Sequence, residues 1–200
     1  MTYALLKLAH IIGAILIGAG LIGVWVCDLR SRQSCELIRF SEAVRNIAVF
    51  YDGVVVPGAL ILLASGAWMI VEFFGGWNFV ATPWLAGMVF LFVFEFIEGN
   101  TITRLYFTRL RRLTQEALQV GAFTPELEKA RAENLSSFTH FLDLPMLLLI
   151  VTLGALRPDN WSLFVVGSLV ALAVAVALTI ALPRLYPWAA SRHSPIPPSQ

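Results

Sequence analysis

The feature that most constrains this chain is a set of five apolar runs, each about as long as a bilayer core is thick. They cover about residues 4–26, 47–73, 82–103, 138–156 and 161–186. A helix rising 1.5 Å per residue needs about 20 apolar residues to cross roughly 30 Å of hydrocarbon. Within hydrocarbon every backbone N–H and C=O must find a partner inside the protein, and a single apolar run achieves this only as a helix. Composition agrees, with 58% hydrophobic and 14% charged residues. A globular domain carries about 25% charged residues, so these are too few to cover a water-facing surface. The expected fold class is all-α, a polytopic membrane helix bundle of about five transmembrane helices forming one domain over residues 1–186. The first run has no basic leader, and Trp25, Cys27 and Asp28 follow it instead of a small-residue cleavage pattern. It reads as a retained membrane helix, not as a signal peptide.

Basic residues set the expected orientation. With five spans, the N-terminus and the 2–3 and 4–5 loops share one side, which holds only Lys7 and Arg157. The opposite side holds the other 12 of the 14 Lys and Arg, clustered in residues 30–45, 104–131 and 184–192. The N-terminus is therefore expected outside and the C-terminus in the cytoplasm of a bacterial inner membrane. The net charge of +1 gives no reason to expect nucleic acid, and the basic residues have anionic lipid head groups as their natural partners. Cys27 and Cys35 match neither a zinc spacing nor a CxxC redox motif. Span 3 runs on into TRLYFTRLRRLTQEALQV up to Gly121, and Thr124-Pro125 then opens a second helix as N-cap and N1. A cytoplasmic helical hairpin over about residues 104–135 follows from this. Trp77 and Trp84 suit an aromatic belt at the outer interface. Residues 187–200, rich in Pro and Ser, are expected to be a disordered tail.

Ionisable groups inside a span are costly, and each is a functional hypothesis. They fall into two groups. Near the outer end of span 1, Lys7 and His10 are three residues apart and share a helix face. Gly13, Ala14, Ile17 and Gly20 continue that face as small or flat positions, the surface a porphyrin plane needs. Imidazole is a standard axial ligand for haem iron, so His10 is the candidate metal ligand and Lys7 a propionate partner. The alternative is a histidine hydrogen-bonded to a neighbouring helix, with Lys7 snorkelling outward and the small residues serving helix packing. The inner group is Asp52 in span 2, Glu95 and Glu98 in FVFEFIEGN, and His140 and Asp143 in THFLDLP. Carboxylates with one histidine can ligate a divalent metal, relay protons or bind a cationic substrate. Alternatively, Glu98 and Asp143 sit at the interface, neutralised by Arg104 or Arg45.

One haem between His10 and His140 is not expected. At 1.5 Å per residue, His10 lies about 9 Å from one edge of a roughly 30 Å core and His140 within about 8 Å of the other. The remaining gap of about 13 Å far exceeds the roughly 4 Å between two ligands, each about 2 Å from one metal.

Certain motifs add a resemblance. Lys7-Leu8-Ala9-His10-Ile11-Ile12 followed by a Gly-rich stretch resembles the first span of HemJ-type membrane protoporphyrinogen oxidases. Val56-Pro57-Gly58, Ser65-Gly66 and Trp68 resemble their second span, and FLDLPMLLLIVTLGALRP their fourth. The chain is more closely similar to bacterial predicted integral membrane proteins grouped by a domain of unknown function, over most of residues 4–158. The resemblance implies haem b as cofactor, His10 as its ligand and porphyrin oxidation as an activity. One departure weighs against the activity: the oxidases carry a second histidine in the third span, where this chain has Glu95 and Glu98. The first functional expectation is thus a haem- or porphyrin-binding redox protein with a porphyrin or quinone as partner. The second is a small transporter or metal-binding protein built on the inner Asp/Glu/His group. A third is an assembly partner that docks through the basic hairpin, and self-association into a homo-oligomer stays open. No phosphate-binding loop, hydrolase triad or nucleotide motif is present, so ATP-driven and hydrolytic roles are not expected.

Overall fold

A computed structural model describes residues 1–188. Residues 189–200 of the expected tail lie outside the described residues. Five long helices and one short helix account for nearly all of the described chain, with no strand among the described residues. We label them α1 (Thr2–Arg32), α2 (Leu37–Phe73), α3 (Pro83–Val120), α4 (Pro125–Arg131), α5 (Asn134–Leu156) and α6 (Ser162–Leu185). All but α4 are long and apolar enough to cross a membrane.

Local chemistry explains the boundaries. Pro83 opens α3, and Gly121, at φ 77°, ends it in the left-handed region that glycine adopts without penalty. Thr124 Oγ1 accepts from Leu127 N at 3.3 Å and caps α4, with Pro125 at its first position. Helix α2 starts ten residues earlier than the apolar run suggested, leaving a connection of only residues 33–36. Leu37, Phe40, Val44 and Ile47 recur at helical spacing and bury one face, while Arg39, Glu42 and Arg45 occupy the other. The charges on the outward face made this amphipathic turn read as a loop. At 37 and 38 residues, α2 and α3 are about 55 Å long, well beyond a hydrocarbon core of about 30 Å. Both therefore project past the membrane at the arginine-rich end.

That projecting end has its own core. Phe40, Val44 and Ile47 of α2, Phe107, Leu110 and Ala117 of α3, and Leu127 of α4 pack around Val24 of α1. Trp188, which composition placed in the tail, joins this core: Arg32 and Arg131 each stack on its ring, 4.5 Å from the centroid. Arg131 is also held over Phe40 and Phe123, and burial pulls its guanidinium below the ordinary range, opposed by Glu128. Arg32 is ion-paired with Asp28 at 2.8 Å, both side chains almost fully buried.

Within the membrane the bundle core is α1, α2, α3 and α5. Helices α1 and α2 touch backbone to backbone where Gly13 meets Gly58. A Cβ on Gly13 would lie 2.8 Å from Leu62 N, and one on Gly58 3.0 Å from Gly13 O. Gly20 is likewise closed off by Val55. The small residues of α1 thus serve close helix packing, and α2 fills the flat groove expected beside His10. Helix α6 is peripheral. It packs on α5 through Ala171 and Ala175 and leaves Val165, Leu169 and Val170 exposed.

Candidate functional site

At the end of the bundle where α1 begins, a cavity of about 570 Å³ lies between α1, α2, α3 and α5. Small-molecule and cofactor sites span about 300–1,000 Å³ and are mainly apolar with a few placed polar groups. This one fits that description. Ile11, Ala14, Leu62, Met69, Met88 and Val151 form much of the wall, and the charged or titratable side chains lining it are Tyr3, Lys7, His10 and Arg157. Lys7 and Arg157 are the two basic side chains that face of the molecule possesses among the described residues. They come from opposite ends of the bundle's sequence and converge on one cavity. Arg157 lies over the Trp84 ring at 5.1 Å, so Trp84 contributes to the cavity wall as well as to an interfacial belt.

His10 is positioned by its neighbour helix. Ser65 Oγ lies 2.6 Å from the Ile61 carbonyl and 3.2 Å from that of Leu62, and its single proton serves these acceptors. Its lone pair is then left to accept from His10 Nδ1–H at 3.2 Å. In the neutral imidazole this network assigns the proton to Nδ1 and leaves the lone pair on Nε2. A metal-ligating histidine shows the same arrangement, one nitrogen oriented by an outer partner and the other bare. Gly66 allows the approach, since a Cβ there would stand 3.1 Å from His10 Cε1. The expectation of a histidine bonded to a neighbouring helix is thus met, with Ser65 of α2 as the partner.

The inner group divides. Glu95, Glu98 and Asp143 each bring a carboxylate oxygen within 4.8 Å of the others. Asp52 stands apart: it pairs with Arg104 at 3.1 Å, both half-exposed, between the two helices. His140 also stands apart, buried among Trp25, Phe107 and Phe141 with no hydrogen bond to either ring nitrogen. Arg104, weighed as a neutraliser of Glu98 or Asp143, is committed to Asp52. His140 lies beside Trp25, whose Nε1 donates to its carbonyl at 3.2 Å. Trp25 is 15 residues, or about 22 Å, along α1 from His10, so the two histidines occupy different ends of the bundle.

Single π-helical turns interrupt α2 at Tyr51–Val55 and α3 at Gly99–Thr103. They meet where Tyr51 Oη donates to the Gly99 carbonyl at 2.7 Å. Such turns recur at functional sites, and these flank the three carboxylates. Sequence reasoning missed Ser65 as the partner of His10 and Arg157 as a cavity residue. The signals available were the Ser65-Gly66 pair and the isolation of Arg157 on a face otherwise nearly free of cations.

Fold and site together define a multi-pass helical membrane protein with a cofactor-sized cavity in one half of the bilayer. Residues 4–158 match the family model described as predicted integral membrane protein (DUF2269), and the chain belongs to that family. No curated protein and no solved structure shows a match to the chain. The family match ends immediately after α5 and so includes every candidate residue named above, while peripheral α6 falls outside it.

Proposed function

We propose that this chain is a haem b-binding redox protein of the bacterial inner membrane, with its N-terminus outside and its arginine-rich end in the cytoplasm. One observation carries the reading: His10, held through Nδ1 by Ser65, lines a 570 Å³ apolar cavity that also gathers Lys7 and Arg157. A flat apolar macrocycle with two carboxylates and a metal that takes imidazole matches this donor set in each respect. His10 holds the iron, Lys7 and Arg157 pair with the propionates, and Ser65 fixes the ring of His10. Met69 and Met88 on the same wall offer thioethers, the other ligand that cytochromes use beside histidine. Haem supplies one-electron chemistry at a potential set by its ligands and their surroundings. The likeness of the Lys7–Ile12 and Ser65-Gly66 motifs to porphyrinogen oxidases supports the same ligand class. The 12-to-2 distribution of basic residues supports the orientation.

Purification from haem-replete cells, with oxidised and dithionite-reduced spectra, tests the proposal. A Soret band with reduced α and β bands is expected in the wild type, and its loss or shift in His10→Ala. A colourless wild-type protein would overturn the haem reading and direct attention to quinones or anionic lipids as occupants of the cavity.

A further inference from the structure

The second concentration of chemistry is the carboxylate trio in the other half of the bundle, and the haem reading uses none of it. Glu95 and Glu98 stand one turn apart on α3, just before its π turn. Asp143 faces them from α5, two residues before Pro145, which lacks the N–H that would close the helix there. Asp143 is 5% exposed and Glu98 7%. Each of the three keeps one buried oxygen, Glu95 Oε1, Glu98 Oε2 and Asp143 Oδ2, that faces other carboxyls of the trio and no ordinary donor. Thr103 Oγ1 donates to Glu98 Oε1 at 2.9 Å, and the carboxyl also lies against Asp143. Among the described residues no Lys, Arg or His forms an ion pair with any of them.

A separate observation points to a ligand. Asp143, buried and with Oδ2 reached by no donor from outside the trio, lines a cavity of about 70 Å³ together with Glu95, Tyr51 and Asn100. A site needs roughly 10–15 Å³ to hold one water, so several small ligands fit beside the carboxylates.

Three carboxyl groups at this separation in a low-dielectric interior cannot all ionise without a counter-charge. All three donors are hard oxygens, which suit Ca²⁺, Mn²⁺ or Mg²⁺ better than softer metals. Size agrees as well. Oxygens on opposite sides of a Ca²⁺ at 2.3–2.6 Å are roughly 5 Å apart, so three oxygens all within 4.8 Å of one another are close enough to share one ion. We infer that Glu95, Glu98 and Asp143 form a binding site for one hard divalent cation. Waters in the adjoining cavity complete its coordination, and the ion ties α3 to α5. The inference is independent of the haem reading.

The test uses the full-length protein in detergent, stripped with EDTA and titrated with Mn²⁺ while the free-ion EPR signal is followed. One Mn²⁺ per chain is expected, displaced by Ca²⁺, with Glu95→Gln and Asp143→Asn each weakening binding at least tenfold. Because Asp143 is packed, either variant can fail to fold, so circular dichroism accompanies each titration and the wild-type result stands without them. A folded wild-type protein that takes up no Mn²⁺, and whose unfolding temperature Ca²⁺ and Mg²⁺ leave unchanged, would overturn the site and leave protons as the counter-charge. Binding that persists unchanged in both folded variants would also overturn it. The haem spectrum of the same samples reports separately on the other cavity.

Discussion

The two ends of this bundle bury polar groups in opposite ways. At the arginine-rich end Asp28 and Arg32 satisfy each other at 2.8 Å. Trp188 lies against both the Arg32 and Arg131 guanidinium groups, and Phe40 and Phe123 flank that of Arg131. At the N-terminal end Lys7, His10 and Arg157 are set around open space. The first arrangement fills the space around its guanidinium groups with a carboxylate and aromatic rings, although Arg131 Nε and Nη2 have no hydrogen-bond partner. The second leaves interactions unmade within the chain, and an unmade interaction in an apolar surrounding is where a ligand gains affinity. The difference separates a structural charge from a functional one more reliably than residue type does, since both ends use the same kinds of side chain.

Substitutions at each end should therefore differ in what they disturb. The largest stability effect is expected for Asp28→Ala, which leaves buried Arg32 without its partner and should cost about 3–5 kcal/mol. Denaturant unfolding in detergent measures it, and a loss below about 1 kcal/mol would place the pair with exposed bridges. Gly13→Leu forces a side chain against the α2 backbone, where even a Cβ meets Leu62 N at 2.8 Å. It should cost about 1–3 kcal/mol as overpacking and disturb haem retention only as far as the helices part. Ser65→Ala works the other way: stability should change little, while haem affinity falls about 10–100-fold as His10 loses its orienting partner. Equal losses in unfolding and in haem binding would make Ser65 a packing residue. Asp52→Ala breaks a half-exposed bridge to Arg104 and should cost no more than about 1 kcal/mol, with the haem spectrum unaltered.

Much of the fold was legible because apolar runs of bilayer length admit one conformation. What escaped was information carried by helix rotation and by the third dimension. The stretch Leu37–Asn46 buries only one face, so it lacked the unbroken apolarity that marked the spans. Gly13 and Gly20 were correctly seen as small, but spacing within α1 cannot say whether a neighbouring helix or a ligand fills the space beside them. It is α2 that does so. Asp52, Glu95, Glu98, His140 and Asp143 share a depth in the sequence, yet only three of the five converge. Trp188 sits in a Pro- and Ser-rich segment whose composition hides one aromatic anchor. His10 and Lys7 stood out because a bilayer makes ionisable groups expensive, whereas Ser65 and Arg157 acquire meaning only once α2 and α5 are placed beside α1.

The most direct test of a ligand site built on His10 is a haemin titration of the haem-depleted protein, followed at the Soret band in wild type and His10→Ala. The arrangement predicts a 1:1 end point for the wild type and no specific Soret shift for a folded His10→Ala protein. Equal saturation of both proteins would contradict it and remove His10 from the site.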